Sequence, residues 1–308
     1  MELQQIRCVL AVADTGNFTR AAERLKISQP SLSQHVLNLE REVSHKLFHR
    51  LGRKAVPTEA GKVLIERGRR ILFEVEDAGR ELSDATSLGR RIQVGAIPTL
   101  APYLFPSLIP LIRRKFPNIQ VDIREDFRSD LVRAVVEGEL DLALTSMPID
   151  ASRVHTEALW REPLQLVVAK DHPLARRKQV VAADLADQTF ALLGTSSSLT
   201  AQVKSFCGIH NFEPRIAFRC AQVATVKALV ALGAGVSILP QVTRAAEDEA
   251  TLAYISLADA EPYREIGVVR HILRYQSRGA EQFLGAVREW AAALGTGNPL
   301  KNGHTAAS

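Results

Sequence analysis

Between Asn17 and Arg53 the sequence sets short hydrogen-bonding side chains along one side of a helix-like run, NFTRAAERLKISQPSLSQHVLNLEREVSHKLFHRLGR. Gln29, Pro30, Ser31, Ser33, Gln34, His35 and Asn38 share that side, while Leu32, Val36, Leu39 and Val43 recur on the other. Gln and Asn can pair with adenine and Arg with guanine, and short side chains let a helix sit deep in a major groove. A merely solvated face would be richer in Lys and Glu, and this one stays free of acid until Glu40. Arg50, Arg53 and Lys54 then gather around Leu51 and Gly52, where their charges could meet phosphates or a minor groove. The plain alternative is an ordinary pair of amphipathic helices.

A second group of polar residues follows strand-like runs later in the chain. Thr99, Arg128, Ser146, Ser196 and Ser198 all fall just after, or at the end of, such runs. Ligands of open parallel sheets bind at those strand ends, and helix starts there offer N–H groups to anions. Arg128 could form a two-point pair with a carboxylate or phosphate. It could equally pair with Asp126 or Asp130 on the surface, and each Ser or Thr could simply cap a helix. Gly233 and Gly235 follow a helix and precede a strand, the reverse of a dinucleotide loop. Cys207, Cys220 and His210 lack zinc spacing, and no Ser/His/Asp set or carboxylate pair stands out. No catalytic residue, metal or cofactor is therefore expected.

The elements needed to position these groups can be read along the chain. Asn17 caps a helix with Phe18, Ala21, Ala22 and Leu25 on one face, Lys26-Ile27-Ser28 ends it, and Pro30 opens the next. Leu47–Arg50 and Lys54–Pro57 form a small hairpin, so residues 1–57 read as a winged helix-turn-helix. Residues 58–89 form a long linker helix with Thr58 as its cap. Its Leu64, Gly68, Ile71, Val75, Ala78, Leu82 and Ala85 make a heptad seam, facing either a second chain or its own domain. From residue 90 strands alternate with helices, which implies α/β architecture with parallel sheet in two lobes. The first lobe covers about 90–162 and 269–295 and the second about 163–268. The tail 296–308 has no apolar period and is expected to be disordered.

Composition sets the outer bounds. A chain of 308 residues exceeds one comfortable core, and 46% hydrophobic with 24% charged residues suits a soluble protein. A net charge of +5 favours a polyanionic partner only weakly. Three cysteines suit a reducing cytoplasm, and no apolar run reaches the ~20 residues of a membrane span.

The phrases FTRAAERLKISQPSLSQHVLNLE and LFHRLGRKAVPTEAG closely resemble the LysR-type transcriptional regulators, and the likeness runs to about residue 295. It implies a homodimeric or homotetrameric bacterial regulator that binds double-stranded promoter DNA, with RNA polymerase as a further partner. It also implies a periplasmic-binding-protein-like domain for a small effector. VGAIPTLAPYLFPSLIPLI and VKALVALGAGVSILP resemble the peroxide-sensing OxyR branch most. That branch's reactive cysteine falls at Ser198, its preceding histidine at Ser197 and its following aspartate at Ala201. Its threonine after the second strand falls at Arg128 and its late-strand arginine at His271, while Thr99 and Phe206-Cys207 are kept. A serine cannot form a sulfenic acid, so these losses argue against peroxide sensing, and Arg128 with the strand-end hydroxyls points instead to a bound, anionic small molecule. Redox control through Cys207 or Cys220 is the alternative inside the family. A solute-binding protein or enzyme built on the two lobes is the remote one, and the expected lack of a leader speaks against the former.

Overall fold

Two caps start the helices of the N-terminal unit. In the computed structural model, which describes residues 1–52, 54–84 and 90–296, the Asn17 side-chain oxygen accepts the Thr19 and Arg20 N–H groups at 2.8 and 3.1 Å. The Ser28 hydroxyl accepts the Ser31 N–H at 3.3 Å. These give α2 (Phe18–Leu25) and α3 (Gln29–Glu42), preceded by α1 (Leu3–Thr15). Lys26, with φ at +55°, ends α2 in the left-handed conformation. Val9, Val12, Ala21, Leu32, Val36 and Leu39 are sealed from water between the three helices. At about 1.5–3 kcal/mol for each large side chain, this burial holds the trihelical unit together.

The wing is β1 (Phe48–Leu51) against β2 (Lys54–Pro57), antiparallel, with Leu51 opposite Lys54. Gly52 enters its turn at φ +61°, where a side chain would be strained. Glu40, read from sequence as the start of a charged surface, is buried. Its carboxylate accepts the Leu47 N–H at 2.8 Å and the Lys46 ammonium at 3.1 Å. The Thr58 hydroxyl donates to the Lys46 carbonyl at 2.6 Å and accepts the Gly61 N–H at 3.0 Å, capping α4 (Glu59–Asp84). A Cβ at Gly61 would lie 2.1 Å from the Leu47 carbonyl oxygen, so only glycine admits this closeness. The base of the wing is thus tied to the helix before it and the helix after it.

The seam on α4 divides into two parts. A Cβ on Gly68 would meet Ile6 of α1 at 2.8 Å, and Leu64 packs on the N-terminal core, so these two serve their own domain. Farther along, Val75, Ala78 and Leu82 are exposed, Leu82 at 74%. Ala85 lies outside the described residues.

The chain divides into compact units between Thr86 and Ser87. The second unit begins with β3 (Arg90–Ala96), α5 (Ala101–Lys115), β4 (Ile119–Glu125), α6 (Arg128–Val136) and β5 (Leu142–Ser146). β4, β3 and β5 are parallel neighbours. The next strand, β6 (Val154–Ala169), is sixteen residues long and belongs to both lobes. Its first part pairs with β11 (Tyr263–His271), which also borders β5. Its second part pairs with β9 (Ser237–Pro240) and β10 (Leu252–Ile255). The second lobe adds β7 (Thr189–Leu193) parallel to β8 (Arg215–Cys220), with α7 (Ser198–Ile209) and α8 (Val223–Ala231). Finally α9 (Arg278–Thr296) returns to the first lobe, where Phe283, Val287 and Trp290 join Ile92, Leu104 and Leu144 in one core.

The sheets are therefore mixed rather than purely parallel. The return crossing also comes earlier than residue 269, because Tyr263–Glu265 already pair with Pro163–Arg161 on the first-lobe side. Strand β11 accordingly starts at Tyr263 and ends at His271. The tail from residue 297 lies outside the described residues.

Candidate functional site

On α3, Gln29, Pro30, Gln34 and Asn38 are exposed, while Ser31, Ser33 and His35 are half-buried. The Gln29 amide donates to the Ser33 hydroxyl at 2.9 Å, and the Gln34 amide donates to the Asn38 carbonyl oxygen at 2.7 Å. Both pairs are one helical turn apart, so these side chains are ordered along the helix rather than splayed. Gln34 retains its acceptor oxygen and Asn38 its donor nitrogen. The side chain of Arg50, on β1, and the whole of Arg53 lie outside the described residues.

Between the lobes of the second unit lies a cleft of about 280 Å³. Ile97, Pro98, Thr99, Phe127 and Arg128 line it from the first lobe. The second contributes Leu193, Gly194, Ser196, Ser197, Ser198, Arg219, Cys220 and Ala221. The fold thus brings Thr99, Arg128, Ser196 and Ser198 together from strand ends far apart in sequence. Ser146 does not line the cleft. It is fully buried, and its hydroxyl donates across the lobes to the Ser198 hydroxyl at 2.8 Å.

The surface alternative for Arg128 does not hold. Asp126 is taken by Arg124 at 3.0 Å and by the Phe127 N–H at 2.9 Å, and Asp130 by Arg133 at 2.7 Å. Among the described residues Arg128 reaches only the Pro148 carbonyl, at 3.4 Å, a long and weak hydrogen bond.

Thr99, expected at the effector site where a helix starts, is already engaged as an acceptor. Its hydroxyl and its carbonyl receive Arg264 at 2.6 and 3.1 Å. Arg264 is only 1% exposed, and its Nε donates to Glu162 at 2.6 Å. The other oxygen of Glu162 accepts the Val242 N–H at 2.9 Å. His271, where the resemblance places a late-strand arginine, is the last residue of β11. His271 sits at the opposite end of β11, opposite Val154, whereas Arg264 is the arginine that meets Thr99.

Among the charged lining residues, Arg219 escaped the sequence reading. Arg219 could have been found by applying the strand-end rule to β8, as it was applied to the other strands. The thiols are poorly placed for redox work. Cys207 is fully buried, and burial pushes its pKa up to about 11; Cys220 is raised for the same reason. A thiol held protonated is a weak nucleophile. Among the described residues no His, Cys, Asp and Glu group could hold a metal, and no helix is long and apolar enough to cross a membrane.

Residues 3–62 match the family model of the bacterial regulatory helix-turn-helix proteins, lysR family, and residues 85–292 match that of the LysR substrate binding domain. The chain belongs to the LysR family. It is a LysR-type transcriptional regulator, built as a winged helix-turn-helix, a long helix and a two-lobed α/β domain. The "Hydrogen peroxide-inducible genes activator" of Pectobacterium carotovorum subsp. carotovorum is 31% identical to this regulator over 271 residues, covering 87% of this chain and 90% of the relative. The "Hca operon transcriptional activator HcaR" of Escherichia coli (strain K12) is 32% identical over 242 residues, covering 78% and 82%. Among solved structures, a full-length OxyR variant from Pseudomonas aeruginosa is 29% identical, with a TM-score of 0.74 over 94% of this chain and 95% of that one. Full-length BenM is 27% identical, with a TM-score of 0.60 over 96% and 98%.

Proposed function

We propose that this LysR-type regulator acts in the cytoplasm as a homodimer or homotetramer on double-stranded promoter DNA, and that a small anion bound between its lobes controls it. In this reading α3 reads bases through Gln29, Ser33, Gln34 and Asn38, and Pro30, Ser31 and His35 shape that face. Arg50 and Arg53 of the wing hold phosphates, and RNA polymerase is the machinery acted upon. No step of bond-making chemistry is assigned to it. The observation that carries the effector reading is the cleft itself: Arg128 and the serine hydroxyls converge there, and among the described residues no carboxylate lines it.

Redox control is the weaker reading, although relatives are named for peroxide. Ser198 stands where the resemblance places the reactive cysteine, and Cys207 is a buried, protonated thiol. Pairing of two chains is supported by Val75, Ala78 and Leu82, exposed at heptad spacing on the second half of α4.

Base-reading and phosphate-holding residues should fail differently. With the full-length chain and an operator selected from random DNA, Gln34→Ala should relax sequence preference by roughly 1–3 kcal/mol at one or two base pairs. Arg53→Ala should weaken all sequences alike and reduce the salt slope by about 0.9. Identical behaviour of the two variants in a salt-titrated binding assay would refute the assignment. For assembly, Val75→Asp with Leu82→Asp should give monomers in light scattering; a double variant that keeps its wild-type mass rules the seam out. For the signal, transcription from the selected promoter should ignore peroxide and be unchanged by Cys207→Ser. A peroxide response abolished by Cys207→Ser would overturn control by a bound anion.

A further inference from the structure

Arg219 opens a question that the strand-end residues alone do not. It stands next to Cys220 at the end of β8, is exposed, and lines the same cleft as Arg128 from the opposite lobe. Among the described residues its side chain has no ion pair or hydrogen bond, and the lining contains no Asp or Glu to neutralise either guanidinium. The cleft therefore holds two positive charges on separate walls. A surface arginine exposed to bulk water is unremarkable alone, but two facing one small space repel each other and lack a shared counter-charge.

We infer that the effector carries a negative charge at each of two ends, one meeting Arg128 on the first lobe and the other Arg219 on the second. This rests on the reading of the cleft as an effector site. A monoanion would satisfy one guanidinium and leave the other facing the first. A phosphate monoester gathers its charge at one end, whereas the two guanidinium groups are anchored on different lobes. A dicarboxylate reaches both, each end taking charge-assisted, two-point hydrogen bonds from a planar guanidinium. The remaining lining sets the middle of the ligand. Ile97, Pro98, Phe127, Leu193 and Ala221 are apolar, so a short apolar spacer fits between the charged ends. The hydroxyls of Ser196 and Ser198 supply neutral donors alongside. A cleft of about 280 Å³ lies just below the usual range for drug-sized ligands, which limits that spacer to a few carbons. Because the two charges of the ligand bind different lobes, such a ligand also holds the lobes at one separation, which a singly charged ligand would not do.

The test matches charge at constant size. Succinate, glutarate and adipate, and the half-amide of each, are titrated by calorimetry into the full-length chain, with propyl phosphate as the one-ended dianion. The inference requires at least one diacid to bind on the order of tenfold tighter than its half-amide, as loss of one charge-assisted pair should give. In Arg219→Gln, and separately in Arg128→Gln, that preference should shrink to about twofold or less, while the exposed Arg176→Gln should keep it. Melting curves without ligand establish that each variant is folded. Half-amides that bind as tightly as diacids, with Arg128→Gln weakening both, would overturn the two-ended effector and leave control by a single anion standing. The same holds if propyl phosphate binds tighter than every diacid, or if Arg219→Gln keeps the diacid preference. A wild-type chain that binds none of these anions would overturn both the two-ended effector and the anion site itself.

Discussion

A guanidinium sealed from water is costly unless its donors are partnered, and Arg264 meets that demand at the place where the chain crosses between lobes. It stands on β11, opposite Glu162 on β6, and the two form an ion pair at 2.6 Å with almost no exposure on either side. Two of its remaining donors reach Thr99 in the loop after β3. Glu162 passes the constraint on by accepting the Val242 N–H from the second lobe. Breaking one partner of such a buried pair typically costs about 3–5 kcal/mol, because the other charge is left stranded. This cluster therefore fixes the first-lobe loop, both crossing strands and the edge of the second lobe to one another.

The cleft borrows its geometry from that anchor. Thr99 is pinned from behind by Arg264, so the adjoining Ile97 and Pro98 present a defined wall. The opposite wall is joined to the first lobe more lightly. One neutral hydrogen bond, from Ser146 to Ser198, spans the lobes at 2.8 Å, and a bond of this kind is worth only about 0.5–1.5 kcal/mol. Ser198 is in reach of the cleft as well, so a ligand can compete for it. A strong fixed junction with a weak exchangeable clasp beside it is a suitable arrangement for a domain that must respond to a bound molecule. The arginines that would receive the ligand are the groups left without a carboxylate.

Much of this was legible in the sequence because the signals are local. Asn17, Ser28 and Thr58 cap helices as their types suggest, and the polarity of α3 follows from residue spacing alone. The misreadings have a common cause, which is that distant partners decide them. Glu40 looks like a surface acid until the Leu47 N–H, seven residues on, needs an acceptor in the interior. Gly68 looks like a seam residue suited to a second chain, yet Ile6 of α1 occupies the space above it. The first half of β6, VHTEALWREP, has no apolar run because it lies at a sheet edge with one side paired and much of it facing water. Only the second half, buried among β9 and β10, reads as a strand. The role of Arg264 appears only when β11 is laid beside β6 and Thr99.

The central claim is that occupation of the cleft and grip on DNA are linked, and linkage is reciprocal. The direct measurement is the affinity of the full-length chain for its preferred diacid, taken with and without saturating operator DNA, beside the affinity for that DNA with and without saturating diacid. The account predicts that both ratios differ from one and equal each other, by a factor in the range of about 5–150 typical of such coupling. A diacid that binds with the same affinity on and off the operator would contradict it.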